Sequence, residues 1–168
     1  LGSDVELIGQ IMLERDLVHI FVGSLQRDFP NSVVMKNHGD QYQQHGRPDI
    51  EASIYGRHCV FELKAGSQPT AIQQTMISRY SKAGSVTGLI VWHEHSQGIY
   101  FVHANLCKEF SYRKCTTEYL KIGHFDQSQN KHICSTRFLW AWVSEAYIFY
   151  IRPEEVFNIF GGANSHHQ

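Results

Sequence analysis

Gly46-Arg47-Pro48-Asp49-Ile50, followed by Val60-Phe61-Glu62-Leu63-Lys64, decides how this chain is read. Ile50 to Tyr55 reads as a strand and so does His58 to Leu63, and Tyr55-Gly56-Arg57-His58 reads as the tight hairpin turn between them, with Gly56 supplying a positive φ. Strand residues two apart share a face. Glu62 and Lys64 therefore project together while Leu63 turns into the core. The hairpin brings Asp49 alongside the far end of the second strand, so two carboxylates and one ammonium converge. Pro-Asp alone is a common turn opener, and Glu-x-Lys alone is an ordinary solvated strand face. The hairpin makes them one constellation. Paired carboxylate oxygens suit Mg2+ or Mn2+, and a cation beside them can steady an attacking water or a phosphate, which is the equipment of metal-assisted phosphodiester hydrolysis.

The pattern Pro48-Asp49…Glu62-Leu63-Lys64 resembles the PD-(D/E)xK nuclease superfamily, and within it the VRR-NUC group. That group carries a Gln on the helix after the catalytic strand, and Thr70-Ala71-Ile72-Gln73 follows Lys64 at a fitting distance. Ala83-Gly84 then ends the helix and leads into Leu89-Ile90-Val91-Trp92. The group also has an acidic residue in its N-terminal helix. Glu14 is the best candidate, with Glu6 and Asp16 on the same predicted helix. The resemblance covers about residues 10 to 93; residues 94 to 168 match no pattern known to us.

The resemblance implies an α/β (α+β) fold: a restriction-endonuclease-like αβββαβ core, with a mixed sheet flanked by helices and a C-terminal elaboration. It implies Mg2+ (or Mn2+) held by Asp49, Glu62, the backbone carbonyl of Leu63 and Glu14, with Lys64 and Gln73 completing the catalytic set. The activity implied is that of a deoxyribonuclease, an endonuclease cutting DNA, with branched or structured DNA of repair and recombination as a candidate substrate. The alternative is a nucleic-acid-binding or complex-associated domain that keeps the fold with little turnover.

Composition is compatible with either. At 168 residues, 42% hydrophobic and 18% charged, the chain suits one globular domain. We read it as one unit over residues 4–160 (core about 5–93, elaboration about 94–160) with a tail at 161–168. The formal net charge of −1 argues against a basic coat, so DNA contact has to come from a local patch. Phe138 to Ile151 is apolar, but Ser144 and Glu145 interrupt it and it is shorter than the ~20 residues of a spanning helix; no membrane span is expected. Cys59, Cys107, Cys115 and Cys134 show no CxxC spacing, which reads as reduced thiols and an intracellular setting, cytoplasmic or nuclear. His132-x-Cys134 is too poorly spaced for tetrahedral zinc.

Periodicity predicts a helix over 5–28 capped by Asp4, a strand at 33–36, a polar loop to Arg47, strands at 50–55 and 58–64, a helix at about 69–82 with Pro69 in its first turn, and strands at 86–92 and 98–103. Residues 104–135 read as irregular, 136–143 as ambiguous, 146–151 as a strand and 153–160 as a short helix. Lys36 and Arg47 flank the motif and, with His45 and Gln73, are the candidate nucleic-acid contacts. Gln74 neighbours Gln73, and only one of the two can face the site. The run Phe138-Leu139-Trp140-Ala141-Trp142-Val143 is either a covering of the sheet or an interface, and the second reading suggests a homodimer.

Overall fold

The computed structural model describes residues 11–37 and 47–151, the last six as backbone alone. One seven-stranded sheet runs in chain order: β1 (Val33–Lys36), β2 (Ile50–Ile54), β3 (Arg57–Ala65), β4 (Val86–His93), β5 (Gly98–His103), β6 (Leu120–Asp126) and β7 (Lys131–Cys134). Neighbours are antiparallel except β3 and β4, which are parallel. A parallel pair needs a crossover, and α2 (Ala71–Lys82) supplies it. With α1 (Glu14–Asp28) in front, the order through β4 is α-β-β-β-α-β, an α/β arrangement with a mixed sheet flanked by helices.

Each strand face has its own helix. Leu17, Phe21 and Leu25 of α1 are fully buried against Cys59, Phe61 and Leu63 of β3. Met76 and Ile77 of α2 cover Val60, Leu89 and Val91 on the other face. Successive side chains of β3 thus alternate between two hydrophobic layers. On the α2 side the row continues from Val60 to Glu62 and Lys64, where the apolar layer gives way to charge.

The β2–β3 turn has the two residues that a type I′ turn demands, Tyr55 at φ 49° and Gly56 at φ 82°; both positive φ values match the strand twist. At α2 the sequence over-reached by one residue pair: Thr70 is the N-cap and Pro69 precedes it. Of the helix expected over 5–28, residues 5–10 and the Asp4 cap lie outside the described residues; residues 11–13 are not helical and α1 begins at Glu14, where the Asp16 carboxylate accepts the Leu13 amide at 3.1 Å. Ile11, expected in the buried stripe, is 62% exposed.

The C-terminal half departs further from expectation. The stretch read as irregular contains β6 and β7. Their connection is a polar turn in which Asp126 Oδ1 accepts the Ser128 amide and hydroxyl, and Asn130 takes φ 50°. Strands so short and so rich in Lys and His carry little hydrophobic alternation. The strand expected at 146–151 is helical, part of α4 (Trp140–Ile151) after the short α3 (Cys115–Glu118). Leu139 and Val143, four apart, are fully buried, and Phe138, Trp140 and Trp142 pack against the same core. This run therefore covers the sheet. The helix expected at 153–160 lies outside the described residues. Among the described residues no helix is long and apolar enough to cross a membrane.

Gly88 sits where β4 meets β5. A methyl group there would overlap the Val102 carbonyl oxygen and the Phe101 ring. Gly88→Ala is expected to destabilise the fold by about 1–3 kcal/mol, because paired backbone cannot withdraw as a side chain can. Urea unfolding with an unshifted midpoint would contradict this packing.

Candidate active site

Ile50 pairs with Phe61, so Asp49 stands opposite Glu62, and residues opposite one another in an antiparallel pair share a face. Asp49 is held from both sides. Its Oδ2 accepts the Leu63 amide at 2.9 Å, and its carbonyl accepts the Asn37 amide at 2.8 Å. Asn37 Nδ2 also donates to the Pro48 carbonyl at 2.7 Å. The end of β1 thus fixes the approach to Asp49.

Glu62 is 2% exposed. Its Oε1 accepts Gln73 Nε2 at 2.8 Å, while Oε2 is buried with no hydrogen-bond partner among the described residues. Burial pushes the Glu62 carboxyl up to about 9; the neighbouring Asp49 carboxylate pushes the same way, and the Lys64 ammonium offsets part of it. Lys64 is 7% exposed, with Nζ 4.0 Å from Glu14 Oε1. Glu14 also accepts the Ser67 hydroxyl at 3.2 Å.

Gln73 is committed at both ends of its amide. Its Oε1 accepts the Thr70 amide at 2.8 Å while Thr70 Oγ1 accepts the Gln73 amide at 3.2 Å, closing a capping box. Its Nε2 is spent on Glu62. In this structure Gln73 thereby orients Glu62. Gln74 points elsewhere on the helix.

These residues fit a hard divalent cation. The orphaned Glu62 Oε2 and the adjoining Asp49 carboxylate are both oxygen donors. In an extended strand the carbonyl points the same way as its own amide, so the Leu63 carbonyl faces the Asp49 side too. Oxygen donors of this kind select Mg2+ or Mn2+ over softer ions. The Glu14 carboxylate, the further expected ligand, faces Lys64 and Ser67 in this structure, and among the described residues no three acidic, His or Cys side chains converge on one point.

The expected nucleic-acid contacts separate. Lys36 ends β1, paired with Ile50 and exposed, and Arg47 is exposed just before Pro48; both flank Asp49. His45 lies outside the described residues. Two participants had not been anticipated. Tyr112 Oη accepts the Gly66 amide at 3.1 Å and donates to the Ser67 carbonyl at 2.8 Å, clamping the loop after Lys64. Ser67 then meets Glu14. The Thr70-x-x-Gln73 cap was legible as a motif; nothing in the sequence marks Tyr112 as a partner of residues so far upstream.

No protein-family model and no curated protein matches the chain. Among solved structures, one match is Archaeoglobus fulgidus Hjc, a Holliday junction resolvase from an archaeal hyperthermophile. It has 16% identity and a TM-score of 0.43, and the match covers 70% of this chain and 88% of that one.

A raised carboxyl pKa has a definite sign in stability. Between about 4.5 and about 9, folded Glu62 keeps a proton that the unfolded chain has lost, so stability falls as pH rises through that window. Glu62→Gln keeps an acceptor for Gln73 and removes the ionisation. In metal-free buffer the variant should be the more stable protein, by about 1–2 kcal/mol near pH ~8, with the gap closing towards pH ~5. Thermal melts at the two pH values, showing equal or lower stability for the variant at the higher one, would contradict the burial of this carboxyl.

Proposed function

We propose that the chain is a Mg2+- or Mn2+-dependent nuclease that hydrolyses phosphodiester bonds in DNA, branched DNA included, as a PD-(D/E)xK enzyme of the VRR-NUC kind. The observation that carries the reading is the orphaned Glu62 Oε2, buried beside Asp49 and one strand step from Lys64 on the same face. A structural carboxylate would be paired or exposed; this one is buried, half-satisfied and crowded by another.

Asp49, Glu62 and the Leu63 carbonyl are the groups that would hold the ion. When bound, a divalent ion neutralises charge on the phosphate and lowers the pKa of water. The remaining duties fall to the chain. Lys64, nearly buried and restrained by Glu14, presents an ammonium to a phosphate oxygen or to the attacking water. Gln73 keeps Glu62 in one rotamer, and the Leu63 amide does the same for Asp49. Every one of these groups comes from a single chain.

Labelled linear, flap and four-way DNA should be cut with Mg2+ or Mn2+ and spared in EDTA. Asp49→Ala, Glu62→Ala and Lys64→Ala should each lower the rate by about 10²-fold or more, the scale of losing a charged group that acts in the transition state. Mn2+ should raise the melting temperature of the wild type and leave that of Asp49→Ala unmoved. Wild-type protein that binds DNA yet cuts none of these substrates with either metal would overturn the reading and leave a binding domain with the same fold.

A further inference from the structure

A groove of ≈ 550 Å3 lies between α2 and the short 3-10 helix Ala104–Glu109. Its walls carry Arg79 and Lys82 from α2 and Lys108 from the facing segment, with Gln74, Ser78 and Asn105 between them. None of its lining side chains is acidic, although the chain has 16 acidic residues against 15 Lys and Arg. All three cations are exposed, and none is in an ion pair among the described residues, whereas Arg27, Lys64, Lys114 and Arg137 are. Cations in the last turn of a helix offset its dipole, which accounts for Arg79 and Lys82. Lys108 likewise lies in the last turn of its own short 3-10 helix, but neither dipole explains why cations from two separate elements meet in one groove.

The position of the groove says what such a surface meets. Its lining begins at Ala71 and Gln74 in the first turn of α2, the turn from whose other face Gln73 holds Glu62. It then follows the flank of α2, twelve residues or about 18 Å at 1.5 Å per residue. One strand of duplex DNA places about five phosphates over that distance. The Arg guanidinium can grip a phosphate through two parallel hydrogen bonds, Lys as a point charge, and the hydroxyl and amide side chains add neutral donors.

We propose that this groove is the track for the sugar-phosphate backbone of one DNA strand, leading it along α2 to the carboxylates at the N-terminal end of that helix. The assignment rests on the nuclease reading for its choice of polyanion. Its cations serve phosphates, which are the same in every sequence, so their contribution is independent of sequence.

The test separates the two claims by measuring binding without cleavage. Fluorescence anisotropy with a labelled duplex in EDTA gives the slope of log affinity against log salt. Each lost phosphate contact should flatten that slope by about 0.9. Arg79→Gln/Lys82→Gln/Lys108→Gln should therefore flatten it by about 2.7 and weaken binding at low salt by about 10²-fold. Lys108→Gln alone should account for about one third of the change in slope. Lys121→Gln/Lys131→Gln, which removes two exposed charges from β6 and β7, should leave the slope unchanged. All five residues are exposed, and unchanged melting temperatures confirm that the variants fold. A triple variant with wild-type slope and affinity overturns the groove, as does a wild type with no measurable DNA affinity, or a β6–β7 variant as impaired as the triple. Cleavage with Mg2+ or Mn2+ is scored separately: a wild type that binds through the groove and never cuts overturns the nuclease reading alone.

Discussion

A slip of one residue between β2 and β3 would turn Asp49 to the face opposite Glu62, because side chains alternate with a period of two. The type I′ turn at Tyr55-Gly56 forbids that slip. A two-residue turn with both φ positive fixes which residues pair, and five pairs then run from Ile54↔Arg57 to Ile50↔Phe61. The hydrophobic layers enforce the same register: Ile50, Ala52 and Ile54 are buried with Cys59, Phe61 and Leu63 on the α1 side, and slipping would drive all three of the β2 residues into the opposite layer. The placement of one carboxylate is thus secured by a turn seven residues away and by a core that Asp49 itself does not join.

Glu62 costs the fold something to keep. Its side chain is shut away from water, short of a partner on one oxygen, and pressed by a second carboxylate. The supporting contacts are arranged to contain that cost. Gln73 stabilises the start of α2 through its cap, an interaction worth about 1 kcal/mol, and the same amide group restrains Glu62. Helix initiation and carboxylate orientation are therefore one hydrogen-bond system. On the other side, Tyr112 pins Gly66 and Ser67, Ser67 meets Glu14, and Glu14 faces Lys64. The C-terminal half contributes to the site through this clamp.

What was legible in the sequence follows from how local the cause is. The hairpin, the Glu62-x-Lys64 face and the strand at Val33–Lys36 depend on turn chemistry and short-range alternation, and the structure has them where the sequence places them. The start of α1 was over-extended because apolar spacing continues through Ile11, while the true boundary is set by Asp16 reaching back to Leu13. The strands β6 and β7 exist because β5 offers them an edge, a tertiary cause with no signature in Lys131-His132-Ile133-Cys134. The helix at Trp140 likewise owes its form to its packing on Phe29, Tyr55 and Phe101. The proximity of Glu14 to Lys64 could not be read from chain spacing, since it depends on where Ser67 is held.

The charge balance explains why a cationic flank matters to this protein in particular. Asp49 and Glu62 adjoin, Lys64 beside them is paired with Glu14, and one ammonium does not balance these carboxylates when they are ionised, so the site by itself repels a phosphate. The proton that burial leaves on Glu62 relieves only part of this. With a net formal charge of −1, the molecule as a whole offers no long-range attraction to a polyanion, and screening limits each surface charge to about 8 Å at physiological salt. Attraction must come from cations within that reach of the strand, placed where no carboxylate cancels them. The α2 flank meets that condition, and it is anchored to the site by the helix whose first turn holds Glu62.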